Sequence, residues 1–467
     1  MTKSIELAVV GAGPAGMAAA AHAAELGLTV TLIDTFSSAG GQYYKQTPPA
    51  LGGTVPPDKY AQGLLTAVQG EGVRLLSGTS AWGLFPEPSS GGKQRDGDYL
   101  LCLYGPPGTP RRLKPRAVIL APGAYDRPVP FPGWTLPGVM TAGAALTMVK
   151  HQHVLPGRRI LLSGTGPLQL VLARHLLDAG AELAGILDAN PFPWRGWRHA
   201  PAAWGQWARL QEGWESLRAM AKARVGIRWN HLVWRAEGHG RVEQAAIGPS
   251  DGSPGETLAV DTICLGHGFT PAVQLSRLAG CEHRYDAAQQ AYVPLRDEWL
   301  QTTRSGLFVA GDGAGIGGKD VARLEGELAA LGAARTLGRE VDASRTESLQ
   351  QALGPQRRFA SVLNDLFPLS AHLADLLTDD TVLCRCEEIT VSQIRQAIAE
   401  GATTASAVRM LTRAGMGRCQ GRMCGSSIAE LLARELGQPV EAVGQATPRP
   451  PIVPIPLEGL IDDGEEA

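Results

Sequence analysis

Four of the seven cysteines fall in one 41-residue stretch, as Cys384-x-Cys386 and Cys419-x4-Cys424 with 32 residues between the pairs. Cys102, Cys264 and Cys281 are scattered singly. The thiolate is the metal-binding form of cysteine. A tetrahedral set of four sulfurs suits either zinc or an iron–sulfur cluster. Zinc sites more often use Cys-x2-Cys knuckles. Cys-x-Cys on an extended segment puts both sulfurs on one side, close enough to ligate one iron. Arg385, Arg418 and Arg422 lie among these cysteines. Cations there would offset a negative cluster and raise its potential, or serve only surface solubility.

A second set of residues points to a nucleotide. Gly11-Ala12-Gly13-Pro14-Ala15-Gly16 is a full GxGxxG between an apolar strand pattern and a helical one, with Asp34 18 residues after Gly16. Gly11 suits the tight turn, Gly13 the close approach to a pyrophosphate, and Gly16 the packing of helix on strand. The helix N-terminus faces the phosphates. An acid at Asp34 suits ribose hydroxyls and disfavours a 2′-phosphate. A second such unit begins at Arg159, with Gly164 and Gly166, but Gln169 stands at the third glycine position and Asp188 where a ribose ligand would lie. That site is read as vestigial or differently occupied ahead of a nicotinamide site. No acid–base pair stands out as a substrate site, so no catalytic residue is assigned.

The elements that position these residues follow from periodicity. Strands are expected at 5–10, 30–33 and 117–121, with a helix at 14–26 stopped by Gly27. Residues 36–60 read as loop, and 86–115 as a β-rich excursion with turns at 89–92 and 96–97. The second unit reads as strand 160–163, helix 168–177 and strand 184–187. Strands at 263–265 and 307–310 are expected to return the chain to the first body. Residues 341–380 are helical and polar, with Leu353, Phe359, Val362 and Leu363 as a packing stripe. Thr390 with Gln393, and Ser427 with Glu430, have capping-box spacing. A short helix marked by Val408 and Leu411 should stop at Gly415. The tail at 448–456 should be extended and the acidic end at 462–467 disordered.

These signals divide the chain into a first nucleotide-binding part (1–140), a second dinucleotide-binding-like domain with a Trp-rich insertion (141–262), a second part of the first body (263–345), a helical linker (346–380), a cysteine module (381–440) and a Pro-rich tail (441–467); the family resemblance given below implies FAD binding for the first body and a [2Fe–2S] cluster for the module. Seven of the ten tryptophans lie between Pro191 and Trp234. That stretch reads as core or lid packing, with a partner surface as the sharper option.

Composition sets the outer bounds. The balance of 43 basic against 45 acidic residues gives no electrostatic case for nucleic acid. The cysteine usage favours metal chemistry in a reducing compartment over a disulfide scaffold. No apolar run is long enough to span a bilayer, so the expectation is a cytoplasmic protein, with peripheral attachment to the inner face of the membrane left open.

In combination, these motifs resemble the two-dinucleotide-binding-domain flavoproteins over roughly residues 5–345. The resemblance implies FAD at Gly11, Gly13, Pro14, Ala15, Gly16 and Asp34. It further implies flavin contacts at Gly41, Gln42 and Gly123, and an Asp312 that follows Gly311 and holds the ribityl chain. It leaves NAD(P) or another adenine nucleotide at the second site open. No redox cysteine pair lies where the disulfide reductase branch needs one. The spacing of Cys384, Cys386, Cys419 and Cys424 resembles the bacterioferritin-associated ferredoxin-like module, which implies that they ligate a [2Fe–2S] cluster.

Nearly end to end, the chain resembles the α (A) subunits of multi-subunit amino-acid dehydrogenases, a group that includes opine oxidases, hydroxyproline and proline dehydrogenases and the flavoprotein subunit of hydrogen cyanide synthase. Gly40-Gly41-Gln42-Tyr43-Tyr44, the run from Phe131 to Val139 and the Pro-rich tail carry that likeness. The implied fold class is α/β, doubly wound and Rossmann-like, with a small all-α C-terminal iron–sulfur module. The implied role is electron relay from a D-amino-acid-oxidase-like flavoprotein β subunit, a small third subunit being a further expectation, to a quinone or other acceptor. Two rival readings stand beside it. One is a self-sufficient NAD(P)H-dependent FAD/[2Fe–2S] oxidoreductase, the other a non-catalytic, zinc-stapled nucleotide-binding protein.

Overall fold

The computed structural model describes residues 3–53, 58–86, 99–199, 201, 204–253 and 255–460. The turns expected at 89–92 and 96–97 and the acidic end lie outside the described residues.

Strand Lys3–Val10 is the centre of a seven-stranded sheet, with Val30–Ile33 and then Val73–Leu76 on one side and Arg112–Leu120 on the other, all parallel. Leu307–Val309 adds in parallel to Arg112–Leu120. Leu7, Ala8 and Val9 are fully buried, as expected of a parallel strand covered on both faces. The excursion forms two antiparallel strands at the edge, Tyr99–Tyr104 and Ser80–Pro86. Helix Pro14–Glu25 starts with Pro in its first turn and buries a run of alanines. A Cβ on Gly16 would lie 1.7 Å from the Gly11 carbonyl oxygen, so only glycine lets the helix leave the strand this tightly.

The second body is a five-stranded parallel sheet in the order Ile227–Trp229, Glu182–Asp188, Arg159–Gly164, Thr262–Gly266, Val139–Thr141. A three-stranded antiparallel meander, His231–Glu237, Gln244–Pro249 and Glu256–Ala259, packs on it. Residues 263–265 therefore belong to this sheet and do not return the chain to the first. The divisions expected at 140/141 and 262/263 both cut strands of it. The reason is pairing: Cys264 registers with Leu162 and Met140, neighbours that no local pattern names.

Helix Ala343–Leu366 buries Leu353 and Phe359, while Val362 and Leu363 are only half-buried. The C-terminal module begins with a short hairpin, Val382–Cys384 with Ile389–Thr390, before helices Val391–Ala399, Ala405–Thr412 and Gly425–Leu436. The Thr390–Gln393 capping box forms as expected. The second does not. Cys424 is the N-cap of the last helix and Ser427 is buried inside it. The Ala405–Thr412 helix stops at Arg413 in the left-handed region, two residues before Gly415, and Leu411 is exposed. Among the described residues no helix is long and apolar enough to cross a membrane.

Candidate cofactor sites

The strand order of the first sheet reverses between Lys3–Val10 and Arg112–Leu120, and a crevice opens at the carboxyl ends of the strands at such a point. The residues expected to meet a flavin nucleotide all lie at those ends. Gly11 follows the central strand, Gly123 follows Arg112–Leu120, and Gly311 and Asp312 follow Leu307–Val309. Asp34 follows Val30–Ile33; its Oδ2 accepts the Ala12 N–H at 2.5 Å and its Oδ1 the Phe36 N–H at 2.7 Å. Burial pushes its pKa up, outweighing both donors. The Gly40 N–H donates to the Ala12 carbonyl at 2.8 Å, which brings Gly41 against the glycine loop. Gln42 is exposed.

Asp312 Oδ1 accepts the N–H groups of Gly317 and Gly318 at 2.9 and 3.0 Å, at the start of helix Lys319–Thr336. Burial raises its pKa against those two donors. Behind it sits a buried network that the sequence did not disclose. Glu325 accepts from Arg296 at 2.8 Å, from Arg357 at 2.7 Å and from the Gly311 N–H at 2.9 Å. Burial alone would raise the Glu325 pKa, but the two guanidinium groups outweigh it and hold it low. Paired in this way, the carboxylate fixes the turn that carries Asp312.

The second glycine loop is differently furnished. Gln169 is buried with its Oε1 unpartnered among the described residues. Asp188 accepts the Asn190 N–H at 2.9 Å, and burial raises its pKa. Asn190 Nδ2 donates both to Thr165 Oγ1 at 2.9 Å and to the Pro368 carbonyl at 2.8 Å. A Cβ on Gly166 would lie 3.8 Å from the Phe367 Cβ. The linker thus lies beside this loop.

The four clustered cysteines converge. The thiols of Cys384 and Cys424 are within hydrogen-bonding reach of one another, as are those of Cys386 and Cys419. Each contact joins one sulfur from each clip, rather than the two of Cys384-x-Cys386. The Gly415 N–H also donates to Cys384 Sγ at 3.3 Å. The hydrogen bond from Cys424, with help from that amide, outweighs burial and draws the Cys384 thiol down to about 6; the shared hydrogen bond and burial push Cys424 up. Metal binding would take the protons from both thiols. A Cβ on Gly417 would lie 2.4 Å from the Cys386 Cβ, so glycine is required for the two clips to meet. Among the described residues no three His, Cys, Asp or Glu side chains gather around one point suited to a single ion. Two pairs of thiols fit a bridged two-iron centre better than one tetrahedral ion. Cys102 and Cys264 are instead driven by burial to about 11 and about 12, and so lack thiolate character.

The module sits against both bodies. Trp134 Nε1 donates to the Val382 carbonyl at 2.6 Å, and Arg127, buried, stands 3.7 Å from Glu430. The Pro-rich tail, expected to be extended, forms no helix or strand over 448–456 and is docked on the first body. The Ile452 N–H donates to the Trp82 carbonyl at 3.0 Å, and Ile452 is buried beside the first sheet. Trp194, Trp204, Trp207 and Trp214 are exposed, so for these four the expectation of core packing fails.

Residues 5–338 match the pyridine nucleotide-disulphide oxidoreductase family, and residues 382–434 the BFD-like [2Fe-2S] binding domain. The opine oxidase subunit designated A, from Agrobacterium tumefaciens (strain Ach5), is 34% identical over 97% of this chain and 91% of its own length. Hydrogen cyanide synthase subunit HcnB of Pseudomonas aeruginosa is 33% identical over 98% of this chain and 99% of its own. The crystal structure of L-proline dehydrogenase from P. horikoshii superposes with a TM-score of 0.71 at 20% identity, covering 99% of this chain and 80% of that one.

Proposed function

Because this chain belongs to the pyridine nucleotide-disulphide oxidoreductase family, alongside a subunit of opine oxidase, and carries a BFD-like [2Fe-2S] binding domain, we propose that it is the electron-transfer subunit of a multi-subunit dehydrogenase. It is a FAD-dependent oxidoreductase with a [2Fe–2S] cluster. The substrate is an amino or imino acid of the opine, hydroxyproline, proline or glycine type. Its oxidation takes place on a D-amino-acid-oxidase-like partner flavoprotein in the cytoplasm. A flavin exchanges electrons in pairs or singly and a [2Fe–2S] cluster singly, so together they turn a two-electron oxidation into a one-electron current.

The chain's own residues divide that work. Gly11, Gly13, Pro14, Ala15 and Gly16 turn backbone and a helix N-terminus toward the pyrophosphate. Asp34, with both oxygens already engaged by backbone, holds the loop shape and offers its remaining lone pairs to ribose hydroxyls. Asp312, fixed by Gly317 and Gly318, does the same for the ribityl chain, with Gly41, Gln42 and Gly123 at the ring. Cys384, Cys386, Cys419 and Cys424 are the cluster ligands.

The observation that carries this reading is the meeting of two thiol pairs in a module packed against the flavin-binding body. The linker beside Gly166 weighs against the self-sufficient NAD(P)H reading. The test is to purify the chain without partners. It should hold flavin and iron yet oxidise no amino acid until the partner flavoprotein is added. Sustained amino-acid oxidation by the chain alone would refute the relay role.

A further inference from the structure

We propose that Arg422 is a positioning residue that ties the Cys419 side of the cluster to the flavin-binding body through Tyr125 and keeps a cation at that edge. The inference rests on the cofactor reading above and goes beyond it by singling out one contact between the two centres.

Three separate segments meet on this one guanidinium. Its Nη1 donates to the Cys419 carbonyl at 3.3 Å and to the Ile452 carbonyl at 2.8 Å. Its Cζ stands 6.0 Å from the centroid of the Tyr125 ring. Ile452 is anchored in turn to the edge of the first sheet at Trp82. A rigid planar fork can hold these partners together where a lysine could satisfy only some of them.

Tyr125 sits on the strand Ala124–Asp126, two residues beyond Gly123. Two extended residues span at most about 7 Å. The tyrosine is therefore a short step from the crevice where the flavin ring is placed. Its position is fixed: the strand pairs with Phe269–Pro271, and the Tyr125 hydroxyl takes a hydrogen bond from Gln274. Gly123, Tyr125, Arg422 and the Cys419 backbone thus form a line of contacts from the crevice to the thiol loop.

Other arginines of the module have different anchors: Arg409 donates to the Thr447 carbonyl at 3.2 Å and to Gln420 Oε1 at 3.1 Å, and Arg413 to Glu387 at 3.2 Å. Arg385 donates to the Thr135 carbonyl at 3.3 Å and stands 5.9 Å from the Trp134 ring, so it anchors the thiol hairpin to the second body. Cys386 is exposed and Cys419 half-buried. Cys384 and Cys424 are buried, so the Cys386–Cys419 pair, beside Arg422, is the more open side of the thiol set.

A reduced cluster carries one more negative charge than an oxidised one, so a nearby cation favours the reduced form. The test uses the full chain with FAD and cluster loaded, titrated with reductant under anaerobic conditions and followed by visible absorption and paramagnetic resonance. Arg422→Gln should move the cluster's one-electron reduction equilibrium about tenfold toward the oxidised form, a fall of about 59 mV, with the flavin's potential unchanged. Arg422→Lys should restore most of that shift but leave an altered resonance line shape, because the charge returns and the fork does not. If the Gln variant fails to hold the cluster, the Lys variant decides. A wild-type line shape in the Lys variant overturns the proposal, as does a Gln variant with full iron and FAD content and an unchanged potential. Failure of the parent reading looks different: the unaltered chain itself would show no reducible iron–sulfur signal.

Discussion

Asn190 donates its side-chain N–H to the carbonyl oxygen of Pro368 across 2.8 Å, although 178 residues separate them. That bond, with Phe367 beside Gly166, lays the linker beside the second glycine loop. The loop keeps the strand–turn–helix shape of a dinucleotide site, with the chain's own linker beside it.

The expected consequence is that NADH or NADPH leaves the flavin oxidised. Adding either in excess to the anaerobic protein should produce no bleaching of the flavin band over the time in which dithionite bleaches it fully. Rapid bleaching by a nicotinamide nucleotide would contradict the reading of the second site as vestigial or differently occupied and restore the self-sufficient reading.

Replacing a clustered cysteine separates the two centres. Cys424→Ser should lower iron from about two per chain to near zero and remove the reduced-state paramagnetic signal, while FAD content stays within error. Cys102→Ser, at a buried position in the first body, should change neither reading. Metal analysis and flavin extraction on the same samples check this. Retained iron in Cys424→Ser, or zinc in place of iron in the unaltered chain, would sink the ligand set.

Asp312→Ala should weaken FAD binding without unfolding the chain. Hydrogen bonds to a charged group contribute about 1.5–3 kcal/mol, and the side chain accepts two, from Gly317 and Gly318. Loss of the ribityl partner and loosening of that turn together predict roughly 10- to 100-fold weaker binding. Fluorescence titration of the stripped protein with FAD measures it. Unchanged affinity would remove Asp312 from the site.

Acid should destabilise the fold through His267. Burial, with Arg127 adding to it, draws this histidine from 6.5 down to about 4, and its Nδ1 has no partner among the described residues. Its folded value is lowered, so its contribution is fully present above pH 6.5 and is lost as pH falls toward 4, because the unfolded chain takes up the proton first. The size is on the order of 3 kcal/mol. Asp34, Asp188 and Asp312 have raised values and so work in the opposite sense, gaining as they protonate. Thermal melts of the wild type and His267→Gln between pH 7.5 and 4.5 isolate the histidine. The variant should lose less stability over that interval, and parallel curves would show that His267 does not titrate there.

Both cofactor motifs were legible as residue types at fixed spacing. The glycine loop with Asp34, the capping box at Thr390 and Gln393, and the two cysteine clips are local patterns, and each encodes its own turn, cap or ligand geometry. Ser427 and Glu430 carried the same local signal and failed, because Cys424 takes the N-cap place in the fold and puts Ser427 inside the helix. Gln169 marked the second loop as different in sequence, and the structure buries it with its Oε1 unpartnered among the described residues.

Sequence alone thus determined which atoms were available for chemistry, since thiols, carboxylates and glycine turns are properties of short segments. Tertiary structure alone decided that residues 262–266 join the second sheet, that Phe367 lies beside Gly166 with Pro368 bonded to Asn190, that Glu325 is clamped by Arg296 and Arg357, and that Arg422 joins the thiol loop to Tyr125. These are pairings between distant segments. They are chosen by burial and hydrogen-bond satisfaction over the whole folded chain, and no window of sequence contains both partners.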